Sequence, residues 1–181
     1  MTKEEVNDLT KRAVYVFKEL LEYENFKMDV QMNGIMGTQY QFKQISMLTG
    51  ITEIYITPIS DKINGQQING FKIDNIKTSN RGIGIGSKLI AILSKICNTF
   101  DLDLCLWSKN NANLKKWYKK LGFKEVYTNS IGETLFILEK YNFENVINML
   151  GTDKILECSN IATTITIAEK YLEAIFNIEW K

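Results

Sequence analysis

The segment at residues 81–86 reads Arg-Gly-Ile-Gly-Ile-Gly and leads directly into apolar residues at helical spacing. Strand-like residues precede it at 67–77, so the glycines predict a tight turn from a strand into a helix. The N–H groups of a first helical turn have no partner within the helix, and the helix dipole adds partial positive charge there. The junction is therefore suited to binding an anion such as a phosphate group.

Three phosphate-binding patterns can be compared with this junction. A Walker A loop fails, because Ser87 and Leu89 stand where its second glycine and its hydroxyl residue belong. A dinucleotide-binding Gly-x-Gly-x-x-Gly pattern also fails, because its third glycine would again be Ser87 or Leu89. The pattern Gln/Arg-x-x-Gly-x-Gly/Ala is satisfied in full, by Arg81, Gly84 and Gly86.

A second motif follows, in which Asn111 and Leu114 precede Tyr118, and Gly122 and Phe123 close the run. A predicted strand separates it from the glycine-rich segment. In this order, the two motifs resemble those of the GNAT superfamily of N-acetyltransferases. Leu114 stands where that superfamily more often has alanine. The resemblance covers the middle of the chain and matches both ends only loosely.

The resemblance implies an α/β (α+β) fold: a mixed, mostly antiparallel sheet with a central parallel strand pair and helices on both faces. It also implies that the glycine-rich loop holds the pyrophosphate of acetyl-CoA, a co-substrate, and that no metal is needed. In this superfamily a backbone N–H polarises the thioester carbonyl where two parallel strands separate, a position that falls near Ile76. The cofactor-binding residues implied are Ile76, Lys77, Arg81, Gly82, Ile83, Gly84, Ile85, Gly86, Ser87, Asn111 and Tyr118.

The resemblance also suggests catalytic residues. Tyr118 is the candidate general acid, because a phenol with a pKa of about 10 can protonate a departing thiolate. The same side chain fits the apolar face of its helix, where it would only pack. Asp74 is the best-placed general base and Glu53 the second, although either also fits a solvated strand position. Asn111 fits both a helix N-cap and a cofactor contact.

Composition narrows the chemistry. Histidine is absent from all 181 residues, which excludes Ser-His-Asp and Cys-His mechanisms and the commonest metal ligand. A net charge of +1 favours neither nucleic acid nor an anionic membrane as a partner, and no apolar run is long enough to span a bilayer. Cys97, Cys105 and Cys158 stand in apolar surroundings and are predicted to be reduced thiols, so we expect a cytoplasmic protein.

Hydrophobic periodicity predicts the remaining elements. A capping box at Thr2-Lys3-Glu4-Glu5 predicts the start of a first helix, which extends to about Glu24. A strand near 27–32 and a short helix or loop at 39–47 follow. A hairpin comes next, with Pro58 marking the end of its first strand and its turn at 64–65. The strand–helix–strand order around the glycine-rich loop implies a parallel pairing through a right-handed crossover.

We expect residues 1–140 to form a GNAT-like acyl-CoA-binding domain and residues 141–181 to form a helical C-terminal extension packed on the same domain. The apolar stripe of the extension fits three roles. It can cover the domain's own sheet, pair with a second copy in a homodimer, or dock a partner, and the first of these is the simplest.

The sequence therefore predicts an acetyl-CoA-dependent N-acetyltransferase that transfers an acetyl group to a primary amine by direct attack on the thioester. The alternative is a non-catalytic GNAT-like module that binds an acyl-CoA or another protein. The loop does not distinguish acetyl from longer acyl donors, because all share the CoA body. Protein lysines, N-termini, polyamines and aminoglycosides all stay open as acceptors.

Overall fold

A computed structural model of the chain describes residues 1–22, 25–33, 37–47, 50–79 and 84–138. Within these ranges the chain forms three helices and seven strands. In chain order they are α1 (Lys3–Glu22), β1 (Lys27–Asn33), β2 (Gly37–Ser46), β3 (Gly50–Ile63), β4 (Gln66–Thr78), α2 (Ile85–Thr99), β5 (Asp103–Ser108), α3 (Ala112–Lys120), β6 (Phe123–Thr128) and β7 (Thr134–Leu138).

The described strands form one sheet in the order β1-β2-β3-β4-β5-β7-β6. Neighbouring strands run antiparallel, except that β4 and β5 are parallel and are joined by the crossover helix α2. A parallel pair needs such a crossover, whereas hairpins suffice for antiparallel neighbours. The predicted fold class, a mixed and mostly antiparallel sheet with a central parallel pair, is confirmed. The expectation of helices on both faces is not met within the described residues, where all three helices pack on one face of the sheet.

The larger hydrophobic core lies between the helices and one face of the sheet. Phe17 of α1 is fully buried, and its ring meets that of Phe42 on β2 edge-on, with 4.8 Å between the centroids. The apolar stripe of α2, including Ile90 and Leu93, is buried in the same cluster, and Tyr118 of α3 packs against it. Burial of these stripes provides the main favourable free energy that attaches the helices to the sheet.

A smaller cluster lies on the opposite face and consists of strand residues, Ile68, Cys105, Leu135 and Ile137. Burial raises the pKa of the Cys105 thiol to about 12, so this thiol stays protonated at neutral pH. Cys97 and Cys105 are buried thiols that form no disulfide within the described residues. Cys158 lies outside the described residues.

Residues 39–47 do not form the predicted helix or loop. Most of them belong to β2, which pairs with β1 on one side and β3 on the other. On this strand only Tyr40 and Phe42 pack against the main core, and the residues around them are largely polar. Two alternating apolar residues are a weak signal for a strand in the sequence. Hydrogen bonding to β1 and β3 instead determines that β2 is a strand.

Pro58 lies inside β3 and not at its end, because it pairs in register with Phe71 of β4. The pairing of β2 with β3 extends only to Ile56, so Pro58 stands where β3 has one neighbour. A proline is tolerated there because its missing N–H breaks no second ladder. The hairpin turn lies where predicted, with φ values of 47° at Asn64 and 84° at Gly65.

The predicted helical extension at 141–181 lies outside the described residues, and the division at residue 140 stays a prediction. None of the helices in the described ranges combines the length and apolar character that crossing a membrane requires.

Candidate functional site

The central parallel pair separates part-way along its length. On the β4 side, the pairing with β5 extends only from Gly70 to Ile73. Both strands continue beyond this point, to Thr78 and Ser108, without pairing with each other. The backbone groups of β4 that face this side after Ile73 have no strand partner, and a gap opens in the sheet.

A β-bulge lies where the pairing ends. Tyr55 of β3 is opposite Asn75 and Ile56 is opposite Ile73, which leaves Asp74 without a partner residue. A bulge bends its strand and increases the local twist. It therefore helps to turn the second half of β4 away from β5.

The edge of β4 that does not pair with β5 presents backbone donors to the gap. The N–H of Ser79, just after β4, donates to the carbonyl oxygen of Ile51 on β3 at 2.9 Å. N–H groups alternate between the two sides of an extended strand, so those of Thr78 and Ile76 point away from β3. The N–H of Ile76, predicted to polarise a carbonyl, is thus directed toward the gap.

Gly70 permits the close approach of β4 and β5 where they do pair. A Cβ at this position would overlap the backbone of Asp103 on the facing strand. The N–H of Asn69 also donates to a carboxylate oxygen of Asp103 at 2.8 Å, which ties the start of the pair together. The strands are therefore held tightly at one end and are separate at the other.

Helix α2 begins at the edge of this gap. Its N-cap is Gly84, whose φ of 81° is a left-handed conformation that favours glycine, and no side chain caps the helix. The first amide bonded within this helix is that of Lys88, which donates to the carbonyl oxygen of Gly84 at 3.0 Å. The N–H groups of Ile85, Gly86 and Ser87 have no partner within the helix and carry its partial positive charge.

A cleft of about 1070 Å³ lies between β3, β4, the start of α2, β5 and α3. This volume is at the upper end of the roughly 300–1,000 Å³ typical of ligand sites. Arg81, Gly82 and Ile83 lie outside the described residues. All the other residues predicted for the site line the cleft: Glu53, Asp74, Ile76, Lys77, Gly84, Ile85, Gly86, Ser87, Asn111 and Tyr118.

No protein-family model matches the chain, and no curated protein sequence matches it. Among solved structures, the chain is similar to Escherichia coli ElaA, with 17% identity over 76% of this chain and 92% of that one and a TM-score of 0.43. It is similar to PH1933 from Pyrococcus horikoshii OT3, with 21% identity, a TM-score of 0.44, and coverage of 56% of this chain and 64% of that one. A point mutant of the AtaT toxin, bound to the C-terminus of the antitoxin AtaR and acetyl-CoA, is 14% identical over 64% of this chain and 73% of that one, with a TM-score of 0.41.

The parallel pair that separates and the glycine-capped helix beside the gap are features that the resemblance implied. The described part of the chain has the mixed, mostly antiparallel α/β fold expected from it.

Tyr118 lies where the main core meets the cleft. Its ring packs among those of Trp117, Phe123 and Phe136, at centroid distances of 5.0, 5.9 and 5.8 Å, and it also lines the cleft.

The environment of Tyr118 suits a proton donor. Burial raises the pKa of its phenol above the ordinary value, because the charged phenolate loses solvation. The hydroxyl therefore keeps its proton at neutral pH. The ring packs against the core and the residue also borders the cleft, and its role as general acid stays a prediction.

Trp117 borders the cleft and was not predicted as a site residue. Its indole N–H donates to the Ser87 hydroxyl oxygen at 3.3 Å, which links α3 to the first turn of α2. A Cβ on Gly86 would lie 3.6 Å from the Trp117 ring, an ordinary contact distance. Helical spacing alone indicates core packing for this tryptophan, so the sequence carried no signal for its place in the site.

Asn111 is the N-cap of α3. Its side-chain oxygen accepts hydrogen bonds from the N–H groups of Asn113 and Leu114, at 3.0 and 3.1 Å. Asn111 also borders the cleft, and its side-chain nitrogen forms no hydrogen bond with the described residues. The capping role is therefore observed, and the nitrogen is available to a ligand.

Asp74, the first candidate base, is held by three donors. It accepts hydrogen bonds from the Thr57 hydroxyl at 2.6 Å and the Gln39 side-chain amide at 2.8 Å, and it pairs with the Lys72 ammonium at 2.9 Å. A carboxylate offers about four acceptor positions, so most of those on Asp74 are occupied. This arrangement suits orientation of neighbouring groups better than removal of a proton.

Glu53, the second candidate base, also has partners. It pairs with the Lys43 ammonium at 3.2 Å and accepts a hydrogen bond from the Tyr55 hydroxyl at 3.2 Å. Its side chain is 12% exposed. Both candidate bases border the cleft, but neither carboxylate is free of protein contacts.

A second cavity, of about 240 Å³, meets the cleft at the gap. This cavity lies on the face of the sheet opposite the main core, because Trp107, one of its lining residues, packs against the smaller cluster. Its lining residues are Lys72, Ile73, Asp74, Trp107, Asn129 and Glu133. Among the described residues, no group of three or more acidic or cysteine side chains is arranged to hold a metal ion.

Proposed function

We propose that this protein is an N-acetyltransferase of the GNAT superfamily that uses acetyl-CoA as co-substrate and a primary amine as acceptor. The cleft in which the unpaired N–H groups of α2 stand beside the gap between β4 and β5 carries this proposal. Phosphate groups bind well at such helix N-termini. Cys97 and Cys105 form no disulfide within the described residues, which suits a reducing compartment, and we assign the reaction to the cytoplasm.

In this proposal the pyrophosphate binds the N–H groups of Ile85, Gly86 and Ser87, together with the preceding segment that contains Arg81. A Cβ on Gly84 would meet no atom within 4 Å, so the space beside that backbone is open to a ligand. The amide-bearing arm of the cofactor lies along the edge of β4 that does not pair with β5. Its amides hydrogen-bond to that edge as an added strand would.

The reaction begins when the acceptor ammonium loses one proton and exposes a nitrogen lone pair. The nitrogen attacks the thioester carbonyl carbon, and charge develops on the carbonyl oxygen, where the N–H of Ile76 stabilises it. The carbon–sulfur bond then breaks, Tyr118 protonates the departing thiolate, and the second proton lost by the nitrogen returns through water to the Tyr118 phenolate. The products are the acetylated amine, the free thiol of CoA and one proton released to solvent.

Removal of the first proton falls to a carboxylate or to water. Asp74 and Glu53 stay the candidates among the carboxylates that border the cleft. The three donors on Asp74 favour a role in which it orients the site while water carries the proton.

Replacement of Gly84 by glutamate tests the cofactor site. Gly84→Glu adds bulk and negative charge beside the proposed pyrophosphate position, and we expect it to abolish acetyl-CoA binding in a calorimetric titration. Gly65→Glu is the matched control, since Gly65 has a φ of 84° against 81° for Gly84 and a Cβ at either position meets no atom within 4 Å. Both substitutions therefore introduce similar backbone strain, and of the two glycines only Gly84 borders the cleft.

Native affinity in Gly84→Glu would contradict the proposed cofactor site, as would equal loss in both variants. Catalysis is tested separately, by thiol release and mass spectrometry after acetyl-CoA and a panel of amines are added to the protein. Acetyl-CoA binding without any acetylated product would favour the non-catalytic acyl-CoA-binding module.

A further inference from the structure

The 240 Å³ cavity on the opposite face of the sheet is lined by none of the residues proposed to bind the pyrophosphate. It has less than a quarter of the volume of the 1070 Å³ cleft. Ile73, Asp74 and Trp107 line both cavities, so the two meet where β4 and β5 separate. A molecule in the smaller cavity would therefore reach the gap from the side opposite the cofactor.

Among the described residues that line this cavity, the carboxylate of Glu133 has no counter-ion. Lys72 and Asp74 pair with each other at 2.9 Å, with side chains 24% and 18% exposed, so their charges offset one another. Glu133, on the connection between β6 and β7, forms no side-chain ion pair or hydrogen bond with the described residues. Its backbone is fixed by Asn129, whose side-chain oxygen accepts from the Glu133 N–H at 2.8 Å. The described lining of the cavity therefore has a net charge of one negative unit.

One aromatic side chain, Trp107, lines the cavity. Its ring lies edge-on to that of Tyr127, with 6.2 Å between the centroids. An indole ring attracts a cation through its quadrupole, and tryptophan does so best among the aromatic residues. An indole together with a carboxylate that has no partner among the described residues is suited to recognising an alkylammonium group.

We propose that this cavity binds the acceptor as a primary alkylammonium and that Glu133 recognises its charge. The inference rests on the proposed function, because only a thioester in the gap gives the cavity this role. An acceptor that carries its own carboxylate is disfavoured, since it would place like charge beside Glu133. The same chemistry can come from a small free amine or from a lysyl side chain, and the probes below distinguish these sources.

The test compares steady-state kinetics of the natural protein and Glu133→Gln at saturating acetyl-CoA. The acceptors are n-butylamine, γ-aminobutyrate and Nα-acetyl-lysine amide. We expect Glu133→Gln to raise KM for n-butylamine about 10- to 100-fold, the effect of losing a hydrogen bond to a charged group. We also expect it to lower the ratio of kcat/KM for n-butylamine to kcat/KM for γ-aminobutyrate. The Kd for acetyl-CoA should stay unchanged. Glu133→Asp should restore part of the lost affinity.

Glu125→Gln is the matched control. Glu125 lies on β6, pairs with Lys119 at 2.8 Å and lines neither cavity, so the same loss of charge should leave all three acceptors unaffected. An unchanged KM for n-butylamine in Glu133→Gln overturns the inference even where acetyl-CoA binds and amines are acetylated. Failure of the natural protein to bind acetyl-CoA overturns the proposed function itself. Turnover of the lysyl compound alone, with the same dependence on Glu133, supports the cavity and assigns it to lysyl chains.

Discussion

At the scale of single residues, the cleft combines a glycine in a left-handed conformation with side chains that are held by partners on other strands. Gly84 was predicted from the pattern, and its left-handed φ of 81° gives an independent reason for glycine at that position. The partners of Asp74 were not predictable, since Gln39 and Thr57 reach it from other strands that are distant in sequence. Periodicity identifies which residues share a face, but not which side chains meet across strands.

The clearest residue-scale prediction concerns Tyr118. Tyr118→Phe keeps the ring that packs among Trp117, Phe123 and Phe136 and removes only the hydroxyl. We expect kcat to fall roughly 10- to 1,000-fold, within the usual range for a lost general acid, while acetyl-CoA affinity and folding persist. The measurement is steady-state acetylation of the best amine acceptor.

The pH profile separates this role from a structural one. Because the acid form of Tyr118 is required and burial raises its pKa, the natural rate should decline only above the ordinary range of a phenol. Tyr118→Phe should lose that decline. Tyr15→Phe, at an exposed position on α1, is the control and should behave as the natural protein. An unchanged kcat in Tyr118→Phe would remove this residue from the mechanism.

At the scale of elements, strong local signals were reliable and weak ones were not. The capping box at the start of α1 is present, with the Thr2 N–H donating to the Glu5 carboxylate at 2.7 Å and the Glu5 N–H donating to the Thr2 hydroxyl at 3.2 Å. By contrast, β2 was missed because few of its side chains are apolar, and β3 was ended too early at Pro58. Both errors concern strands whose limits depend on neighbouring strands.

The parallel pairing of β4 and β5 is tested by substitution of Gly70. Gly70→Ala places a Cβ against the backbone of Asp103, and we expect it to lower the free energy of unfolding by about 1–3 kcal/mol, as overpacking typically does. Gly86→Ala is the comparison, because its Cβ meets other atoms only at ordinary distances and alanine favours the helix by up to about 1 kcal/mol. The urea unfolding midpoint should therefore fall in Gly70→Ala and rise in Gly86→Ala. A Gly70→Ala protein as stable as the natural one would contradict the close packing of this pair.

At the scale of the whole molecule, the motifs were enough to predict the fold class, because a strand, a crossover helix and a second strand dictate a parallel pair. They were not enough to predict the gap. Its position depends on the end of pairing after Ile73 and on the bulge at Asp74, both of which arise from register across the sheet. The second cavity depends on Glu133, which no motif covers.

Two cavities that meet at one gap from opposite faces allow both substrates to be bound together. We therefore expect double-reciprocal plots of initial velocity, with acetyl-CoA varied at several amine concentrations, to give intersecting lines. Parallel lines would instead indicate an acetylated enzyme intermediate and would contradict direct attack. Cys105 is a poor candidate for such an intermediate, because its thiol is buried and has a pKa of about 12.

The short β4–β5 pairing also has a consequence for assembly of the chain. Strands β1 to β4 pair with their sequence neighbours, and β5 to β7 form a second antiparallel block, so each half can grow from local contacts. Within the described sheet, the pairing that starts at Gly70 and Asp103 joins the halves, and α2 packs in the core that they share. These contacts must offset the entropy of closing the loop that contains α2. We expect this join to form late in folding, so that the region proposed to carry the chemistry acquires its shape only after both halves exist.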